Sequence, residues 1–251
     1  MQNGGGAPLA FTNPQVQRLR RLIGQRRARL DDGAFVIEGA MLAAEALAAG
    51  WVVEAQYIAP GATPVAGPPT FTLRDGVAER VSATTTAQGV FAVVTTPPAD
   101  TTVLQNAGFV VVADRVTDPG NLGTIIRSAE ASGADAVVVT PGTVDAYNPK
   151  VVRATAGSLF HVPVVAASIG DVRAAGLRVI ATSSHRGTAH TAADWTGRVA
   201  ILAGSEAHGV DEDAPVDDWV RIDHRGRTES LNVAMAVTVL CFEAARQRDA
   251  R

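Results

Sequence analysis

Residues 108–142 read GFVVVADRVTDPGNLGTIIRSAEASGADAVVVTPG, and this stretch places one amphipathic helix between two apolar strands. Within the helix, apolar residues recur with helical spacing at Leu122, Ile125, Ile126 and Ala129, which predicts one buried face. The flanking runs FVVVA and AVVV are apolar at every position, as strands are when helices cover both faces of their sheet. The stretch therefore predicts a parallel α/β sheet.

The same alternation of strand and helix continues to the end of the chain. Further strands are predicted at HVPVVAA (161–167), LRVIATSS (177–184), RVAILAG (198–204) and DWVRIDH (218–224), and a last helix at about 230–248. In parallel sheets, ligands bind at the loops beyond the carboxyl ends of the strands. We therefore expect the functional residues to follow these strands.

The first hundred residues carry a second, smaller α/β pattern. It begins with a basic helix over about 13–30 and ends with the strand QGVFAVVTTP at 88–97. The segment PPADTTVLQN at 97–106 then interrupts the pattern with prolines and small polar residues. We predict two domains, residues 1–100 and 101–251, which suits a chain of 251 residues.

Composition indicates a globular protein, with 47% apolar and 19% charged residues. No uncharged apolar run is long enough to suggest a transmembrane helix, and the start MQNGGGAPLAFTNP lacks the features of a signal peptide. We expect a cytoplasmic protein.

The cysteine and histidines suggest no metal site. Cys241 lies in the apolar run VAMAVTVLCFEAA, where a small buried hydrophobe is favoured over a nucleophile because no histidine lies near it in a recognisable arrangement. The histidines also lack a tight metal-ligand spacing with cysteine or carboxylates. They are His161, His185, His190, His208 and His224.

Six arginines precede the first acidic residue, Asp31, although the formal net charge of the chain is -3. They form either a solvated helix face or a surface that contacts phosphate groups, since guanidinium groups pair well with phosphate oxygens. These arginines are Arg18, Arg20, Arg21, Arg26, Arg27 and Arg29.

Three loops carry candidate chemistry, and the first leads into the helix of the opening stretch. Arg127 points away from the buried face of that helix, where it is either an ordinary surface residue or a contact for a polyanion. Gly120 and Gly123 lack the third glycine of a dinucleotide-binding turn, so no nicotinamide or flavin site is predicted.

The second and third loops combine glycines with isolated polar residues. In LAGSEAHGV (202–210), Gly204 and Gly209 permit either a tight turn or a flat ligand against the backbone, and Glu206 lies at the tip. Before the last helix, Ser230 is a reasonable N-cap. Asn232 lies near a core and needs partners, or it is itself a cap.

Together, the three segments resemble the motifs of the SpoU (TrmH-type) family of RNA ribose 2′-O-methyltransferases in the SPOUT superfamily. The N-terminal half is similar to the family's accessory RNA-binding domain, of ribosomal protein L30e type, at NPQVQRLRRL, FVIEGAMLAAEAL and TTTAQGVFAVV. The matching motif positions are Asn121, Gly123 and Arg127; Gly204, Glu206 and Gly209; and Ser230, Leu231, Asn232 and Ala236.

The resemblance implies a C-terminal SPOUT domain with a deep trefoil knot, a homodimer, and S-adenosylmethionine as cofactor, with no metal. The implied cofactor-binding residues are Thr182, Ser183, Leu202, Gly204, Gly209, Ile222 and Leu231. The implied catalytic residues are Arg127, Asn121, Glu206, Ser230 and Asn232. The six N-terminal arginines are the corresponding RNA-binding candidates.

For Arg127, the family suggests activation of the ribose 2′-hydroxyl. Because arginine stays protonated in almost any environment, we expect it instead to position a phosphate and stabilise charge on the 2′-oxygen. Glu206 and Asn232 are expected to anchor the first-motif loop or the ribose.

The activity implied is methylation of a ribose 2′-hydroxyl in RNA, with large-subunit (23S) ribosomal RNA as the expected substrate. The alternatives are a tRNA 2′-O-methyltransferase, an antibiotic-resistance methylase of the same family, and a non-catalytic RNA-binding assembly factor.

Overall fold

The computed structural model describes residues 6–250, which form two compact units. The first unit comprises residues 6–98 and 147–160, and the second comprises residues 99–146 and 161–250. Residues 1–5 and 251, which the predicted domains include, lie outside the described residues. The domain bounds 1–100 and 101–251 stay a prediction.

The described residues form nine α-helices and eleven strands. The helices are α1 (Pro14–Gly24), α2 (Arg26–Asp32), α3 (Ala40–Ala48), α4 (Val77–Val81), α5 (Val103–Asn106), α6 (Pro119–Ala131), α7 (Pro149–Ala154), α8 (Ile169–Ala174) and α9 (Val233–Asp249), with a 3₁₀ turn at Ser158–Phe160. The strands are β1 (Ala34–Glu38), β2 (Val53–Ile58), β3 (Thr70–Thr72), β4 (Val90–Thr95), β5 (Phe109–Ala113), β6 (Ala136–Val139), β7 (Val164–Ala166), β8 (Arg178–Ser183), β9 (Thr188–Ala189), β10 (Val199–Ala203) and β11 (Asp218–Arg221).

The first unit is built on a four-stranded mixed sheet with the strand order β1-β4-β2-β3. Strand β4 is antiparallel to both of its neighbours, whereas β2 and β3 are parallel. Helix α1 contributes Val16, Leu19 and Leu22 to the hydrophobic core, where they join Phe91 and Val93 of the sheet. The amphipathic pattern of the first helix thus buries its apolar face against the sheet.

The prediction of one basic helix over 13–30 is wrong, because the chain breaks it into α1 and α2. Gln25, between the two helices, has an extended backbone with φ -130° and ψ 117°. The buried side chain of Arg29 donates from Nη1 to the carbonyl oxygens of Leu22 (2.6 Å) and Ile23 (3.3 Å). Arg29 therefore satisfies carbonyl groups that the end of α1 leaves without helical partners.

An aromatic cluster links residues 147–160 to the rest of the first unit. The Phe35 ring centroid lies 4.9 Å from that of Tyr147 and 6.0 Å from that of Trp51. Trp51 also packs edge-on against Phe160 and donates from Nε1 to its carbonyl oxygen at 3.1 Å. Such aromatic contacts bury a large apolar area, which explains why this segment folds with the N-terminal sheet.

The second unit confirms the predicted parallel α/β sheet. Its seven strands lie in the order β7-β6-β5-β10-β8-β11-β9, and all neighbours are parallel. The central strands β5 and β10 are buried along their whole length, and the predicted apolar face of α6 is fully buried. Since parallel strands share one carboxyl edge, the loops after β5, β10, β8 and β11 leave the sheet side by side. The trefoil knot stays a prediction.

Cys241 is a buried residue of α9. Burial raises the pKa of its thiol to about 12, since the apolar surroundings disfavour the thiolate. The side chain therefore stays protonated at neutral pH and acts as a small hydrophobe.

In residues 6–250, no helix combines the length and apolar character that a membrane crossing requires.

Candidate functional site

Glu206 joins the loop after β10 to the loop that leads from β5 into α6. Its Oε2 accepts from the backbone N–H of Thr117 (3.2 Å) and from the Thr117 hydroxyl (3.3 Å). Its Oε1 accepts from the N–H of Asp118 (3.1 Å) and from Nδ2 of Asn121 (2.9 Å). The carboxylate thus satisfies four donors from one five-residue segment, so it fixes the position of that segment relative to β10.

The environment of Glu206 favours its ionised form. Burial by itself would raise the pKa of this carboxyl, but hydrogen bonds donated by the Asn121 side chain and by backbone N–H groups outweigh burial and lower the pKa. Glu206 is therefore a carboxylate at neutral pH, suited to accepting hydrogen bonds and unsuited to donating a proton.

Asn121 extends this network to the start of α9. Its Oδ1 accepts from Nδ2 of Asn232 at 2.9 Å. The Oδ1 atom of Asn232 in turn accepts from the N–H groups of Ala234 (3.0 Å) and Met235 (3.3 Å). A continuous hydrogen-bonded chain therefore runs from Glu206 to the N-terminus of α9.

The N-cap of α9 is Asn232, so the prediction of Ser230 in that role is wrong. Both residues are of a capping type, but Asn232 immediately precedes the first helical residue, and its amide oxygen reaches two free N–H groups. Ser230 is exposed, and its carbonyl oxygen accepts from the Thr228 hydroxyl at 2.9 Å. Asn232 combines the two interpretations left open by the sequence, since it caps the helix and also contacts the first-motif loop.

The two glycines of the second motif are required by the turn itself. Gly204 is buried, and a Cβ atom there would overlap the backbone of Gly209 and Val210. Ser205 and Gly209 exchange backbone hydrogen bonds of 3.1 and 2.8 Å, and Gly209 has a positive φ of 69°. The close backbone packing therefore explains both glycines without a ligand.

The loop between β5 and α6 is held by a second set of contacts. Arg115 has a positive φ of 53°, which is unusual for a residue with a side chain. Its guanidinium pairs with Asp114 through Nε (3.0 Å) and with Asp211 through Nη2 (2.8 Å). Asp114 also accepts from the Thr140 hydroxyl at 2.7 Å. These contacts connect the loops after β5, β6 and β10.

A cavity of about 780 Å³ opens beside this network, at the carboxyl edge of the sheet. Its lining residues come from four segments, within 182–186, 204–212, 219–224 and 230–240. Most predicted cofactor-binding residues line it: Thr182, Ser183, Gly204, Gly209, Ile222 and Leu231. Leu202 does not, because it points into the hydrophobic core of the unit and is fully buried.

Of the five predicted catalytic residues, Glu206, Ser230 and Asn232 line the cavity, whereas Asn121 and Arg127 do not. Arg127 lies on the exposed side of α6. Within residues 6–250, its guanidinium makes neither a hydrogen bond nor an ion pair. The side chain is therefore available to an anion from solvent.

The sequence analysis missed several polar and aromatic residues of the cavity. The Cζ atom of Arg186 lies 3.5 Å from the ring centroid of Trp219, so the guanidinium covers one face of that ring. The sequence signal that could have identified such cavity residues is their position within or directly after predicted strands. The missed residues include His185, Arg186, His208, Glu212, Trp219 and His224.

The six N-terminal arginines, all in the first unit, divide into two groups. Arg18 forms ion pairs of 2.8 Å with both Asp32 and Glu54, and Arg29 is buried as described above. The other four are exposed: Arg20, Arg21, Arg26 and Arg27. Only these four present guanidinium groups to solvent in a way that suits binding a large anion.

In the part of the chain that the structure describes, no three histidine, cysteine, aspartate or glutamate side chains gather in a way that could hold a metal ion.

Comparison with known proteins assigns a family to each half of the chain. Residues 108–242 match the model of the SpoU rRNA Methylase family, and residues 13–92 match that of the MRM3-like substrate binding domain. The first match contains all three candidate loops, and the second contains α1 to α4.

Relatives with names and solved structures agree with this assignment. The chain is 34% identical over 230 residues to the 23S rRNA (guanosine(2553)-2′-O)-methyltransferase RlmP of Bacillus subtilis, covering 86% of this chain and 90% of that protein. The solved structure of the SpoU methyltransferase AviRb from Streptomyces viridochromogenes, in complex with AdoMet, is 31% identical with a TM-score of 0.85 and covers 95% of this chain and 99% of that one. An AdoMet-bound rRNA methyltransferase from Sinorhizobium meliloti is also 31% identical, with a TM-score of 0.83 and coverage of 96% and 98%.

The three motifs lie together at one edge of a parallel sheet, and both the family model and the relatives span them, so this chain belongs to the SpoU rRNA methylase family.

Proposed function

We propose that this protein is an S-adenosylmethionine-dependent methyltransferase that modifies a ribose 2′-hydroxyl in large-subunit ribosomal RNA. The observation that carries the proposal is the Glu206–Asn121–Asn232 network, which joins all three family motifs beside a cavity. The relative RlmP is named as a 23S rRNA 2′-O-methyltransferase, and the solved structure of AviRb contains bound AdoMet. Ribosomal RNA as substrate implies that the protein acts in the cytoplasm.

The cavity fits the cofactor in size and lining. Its volume of about 780 Å³ lies within the range of roughly 300–1,000 Å³ that small-molecule sites occupy. Ile222 and Leu231 offer apolar surface for an adenine ring, and Thr182 and Ser183 offer hydroxyl groups for a ribose or amino-acid moiety. When bound, S-adenosylmethionine supplies an electrophilic methyl group on its sulfonium centre.

Arg127 is proposed to act on the RNA. An arginine remains protonated at working pH, so its guanidinium can hold a phosphate through two parallel hydrogen bonds and stabilise negative charge developing on the 2′-oxygen. Its exposure and its lack of a partner within residues 6–250 support this role.

Glu206, Asn121 and Asn232 are proposed to position the reacting groups. Arg127 lies six residues beyond Asn121 on the same helix, so hydrogen bonds that fix the start of α6 also restrict the position of Arg127. Methyl transfer requires the attacking oxygen in line with the methyl group, and small displacements reduce its rate strongly. Ser230, exposed on the cavity wall, is proposed to contact the ribose.

A homodimer is the assembly that the exposed surface of α9 supports. Met235, Val239 and Phe242 have exposed fractions of 63%, 39% and 51%, and their spacing of four and three residues places them on one face of the helix. An apolar stripe of this kind commonly marks a protein interface. We propose that a second copy of the chain covers it.

Calorimetric titration with S-adenosylmethionine tests the cofactor assignment. We expect saturable binding to the wild type and weaker binding to Leu231→Glu, because a carboxylate in the cavity wall would meet the apolar part of the ligand. A second titration with ATP controls for unspecific binding of adenine nucleotides. If folded protein, shown by cooperative melting, gives no binding heat with S-adenosylmethionine, the cofactor assignment is wrong and a non-catalytic RNA-binding protein is the remaining alternative.

A further inference from the structure

We propose that Arg20 and Arg80, both held against the ring of Phe11, form a binding site for the phosphate backbone of RNA on the first unit. The inference rests on the proposed function and deepens it, since it assigns residues through which the first unit recruits the substrate.

The site is assembled from three separate parts of the first unit. Phe11 precedes α1, Arg20 lies on α1, and Arg80 lies at the end of α4. The Cζ atoms of Arg20 and Arg80 lie 4.7 and 3.4 Å from the centroid of the Phe11 ring. Because both distances share one centroid, the two guanidinium carbons lie no more than about 8 Å apart.

Neither positive charge is paired with a carboxylate in the described residues. Arg20 donates from Nη1 to the side-chain oxygen of Gln17 at 3.1 Å, and Arg80 rests on the ring. Glu79, the neighbour of Arg80 on α4, is separated from it by about 100° around the helix axis. Two exposed like charges held this close repel each other, and a bound polyanion would relieve that repulsion.

Other charged side chains of this region contrast with the pair. Arg18 is occupied by ion pairs with Asp32 and Glu54, and Arg27 pairs with Asp31 at 3.4 Å. Arg20 and Arg80 are thus exposed cations without a carboxylate partner in the described residues.

The distribution of charge between the two units favours the same surface. Residues of the first unit include ten lysines and arginines against seven acidic residues, whereas those of the second unit, up to residue 250, include eleven against eighteen. A polyanion is therefore attracted to the first unit and repelled on average by the second.

The chemistry of the site matches RNA better than an acidic protein. Guanidinium groups bind phosphate oxygens in pairs, and a planar guanidinium already stacked on a ring presents its other face to an unstacked base. A flexible acidic peptide offers the charge but no flat partner for stacking. We therefore assign single-stranded RNA as the ligand.

The double variant Arg20→Ala/Arg80→Ala tests the site by filter binding of a ribosomal RNA fragment across a range of salt concentrations. Loss of two phosphate contacts to a single strand should make the slope of log K against log salt shallower by about 1.4. We expect affinity at low salt to fall ~10-fold or more, while the Kd for S-adenosylmethionine stays unchanged. Arg20→Lys/Arg80→Lys, which keeps the charge but not the planar group, should retain the slope and lose part of the affinity.

A matched control removes the same charge elsewhere. Arg173→Ala/Arg178→Ala deletes two arginines of the second unit that already pair with Asp217 and Asp218, so RNA affinity and slope should change little. Phe11→Leu should reproduce part of the loss, because it removes the ring that holds both side chains.

Three outcomes decide the proposal. If Arg20→Ala/Arg80→Ala binds RNA with the wild-type affinity and salt slope, and the wild type methylates RNA, the proposed site is wrong and the proposed function stands. Equal competition by polyglutamate would overturn RNA as the ligand. A wild type that binds RNA through these arginines but transfers no methyl group would support the site and contradict the proposed function instead.

Discussion

Glu206 is a carboxylate whose donors from residues 117–121 make it a structural anchor for the first motif. Because hydrogen bonding lowers the pKa of Glu206, the ionised form stabilises the fold at pH values above the ordinary carboxyl pKa. This contribution is lost as the pH falls through the lowered value. Between about pH 6 and 9, Glu206 therefore stays ionised and its titration does not shape the rate.

Replacement of Glu206 by glutamine should reduce kcat ~10-fold without changing the shape of the pH profile. The amide nitrogen of glutamine would face two N–H or O–H donors that one carboxylate oxygen now accepts, so the loop loses part of its support. The measurement is kcat against pH for both proteins, with the exposed Asp213→Asn as control. Loss of an acidic limb in Glu206→Gln would show that Glu206 transfers a proton.

Replacement of Arg127 by either alanine or lysine should reduce the rate of methyl transfer. Removing its guanidinium should lower kcat ~100-fold or more, the scale found when one group that stabilises transition-state charge is deleted. Lysine keeps the charge but loses the two parallel donors, so we expect it to recover under about a tenth of the wild-type rate. Steady-state rates at saturating cofactor test this, and near-complete rescue by lysine would refute bidentate positioning.

At the scale of elements, the start of α9 carries two functions that one substitution can separate. Asn232→Asp keeps an oxygen that caps the helix but places a carboxylate oxygen against Oδ1 of Asn121, where the amide now donates. We expect a melting temperature close to that of the wild type and a clear loss of kcat. Asn232→Ala should lose both functions, with the missing cap costing about 1 kcal/mol, or roughly 2–4 °C in Tm. Equal activity of the Asp variant and the wild type would contradict the positioning role.

Elements of strong periodicity were predictable from sequence, and element ends were less so. The helical spacing of Leu122, Ile125 and Ile126 predicted the buried face of α6, because such spacing reflects packing directly. The break at Gln25 was not visible, since it depends on Arg29 reaching back to α1 through three-dimensional contacts. Likewise, choosing between Ser230 and Asn232 as the N-cap required the position of free N–H groups, which composition does not encode.

For the candidate site, the motifs identified the polar residues that hydrogen-bond to one another, but they did not identify all residues that line the cavity. Glu206 and Asn232 stood out as isolated polar groups beside apolar runs, and both lie at the cavity. The resemblance assigned Leu202 to the cofactor through its main chain; its side chain lies in the hydrophobic core, and the assignment stays a prediction. His185 and Trp219 were missed because their contribution depends on how loops after different strands converge.

At the scale of the whole molecule, the return of residues 147–160 to the first unit could not be foreseen. That segment reads as an ordinary helix within the second half, and only the packing of Tyr147 and Phe160 on Phe35 and Trp51 reveals its place. The parallel sheet, by contrast, followed from continuous apolar strands alternating with helices.

The proposed dimer predicts that charges on the apolar stripe of α9 separate the subunits. Met235→Glu/Phe242→Glu should sediment as a monomer under conditions in which the wild type sediments as a dimer, because desolvating the carboxylates opposes association. Met41→Glu, at an exposed apolar residue of the first unit, is the control and should leave the dimer intact. If the wild type is monomeric at micromolar concentration, the proposed homodimer is contradicted.

Transfer of an isotopically labelled methyl group from S-adenosylmethionine to ribosomal RNA, followed by mapping of the labelled nucleotide, tests the central claim most directly. We predict label on the ribose 2′-oxygen of a discrete large-subunit position with the wild type, and ~100-fold less with Arg127→Ala. Label on a base, or equal labelling by both proteins, would contradict the account.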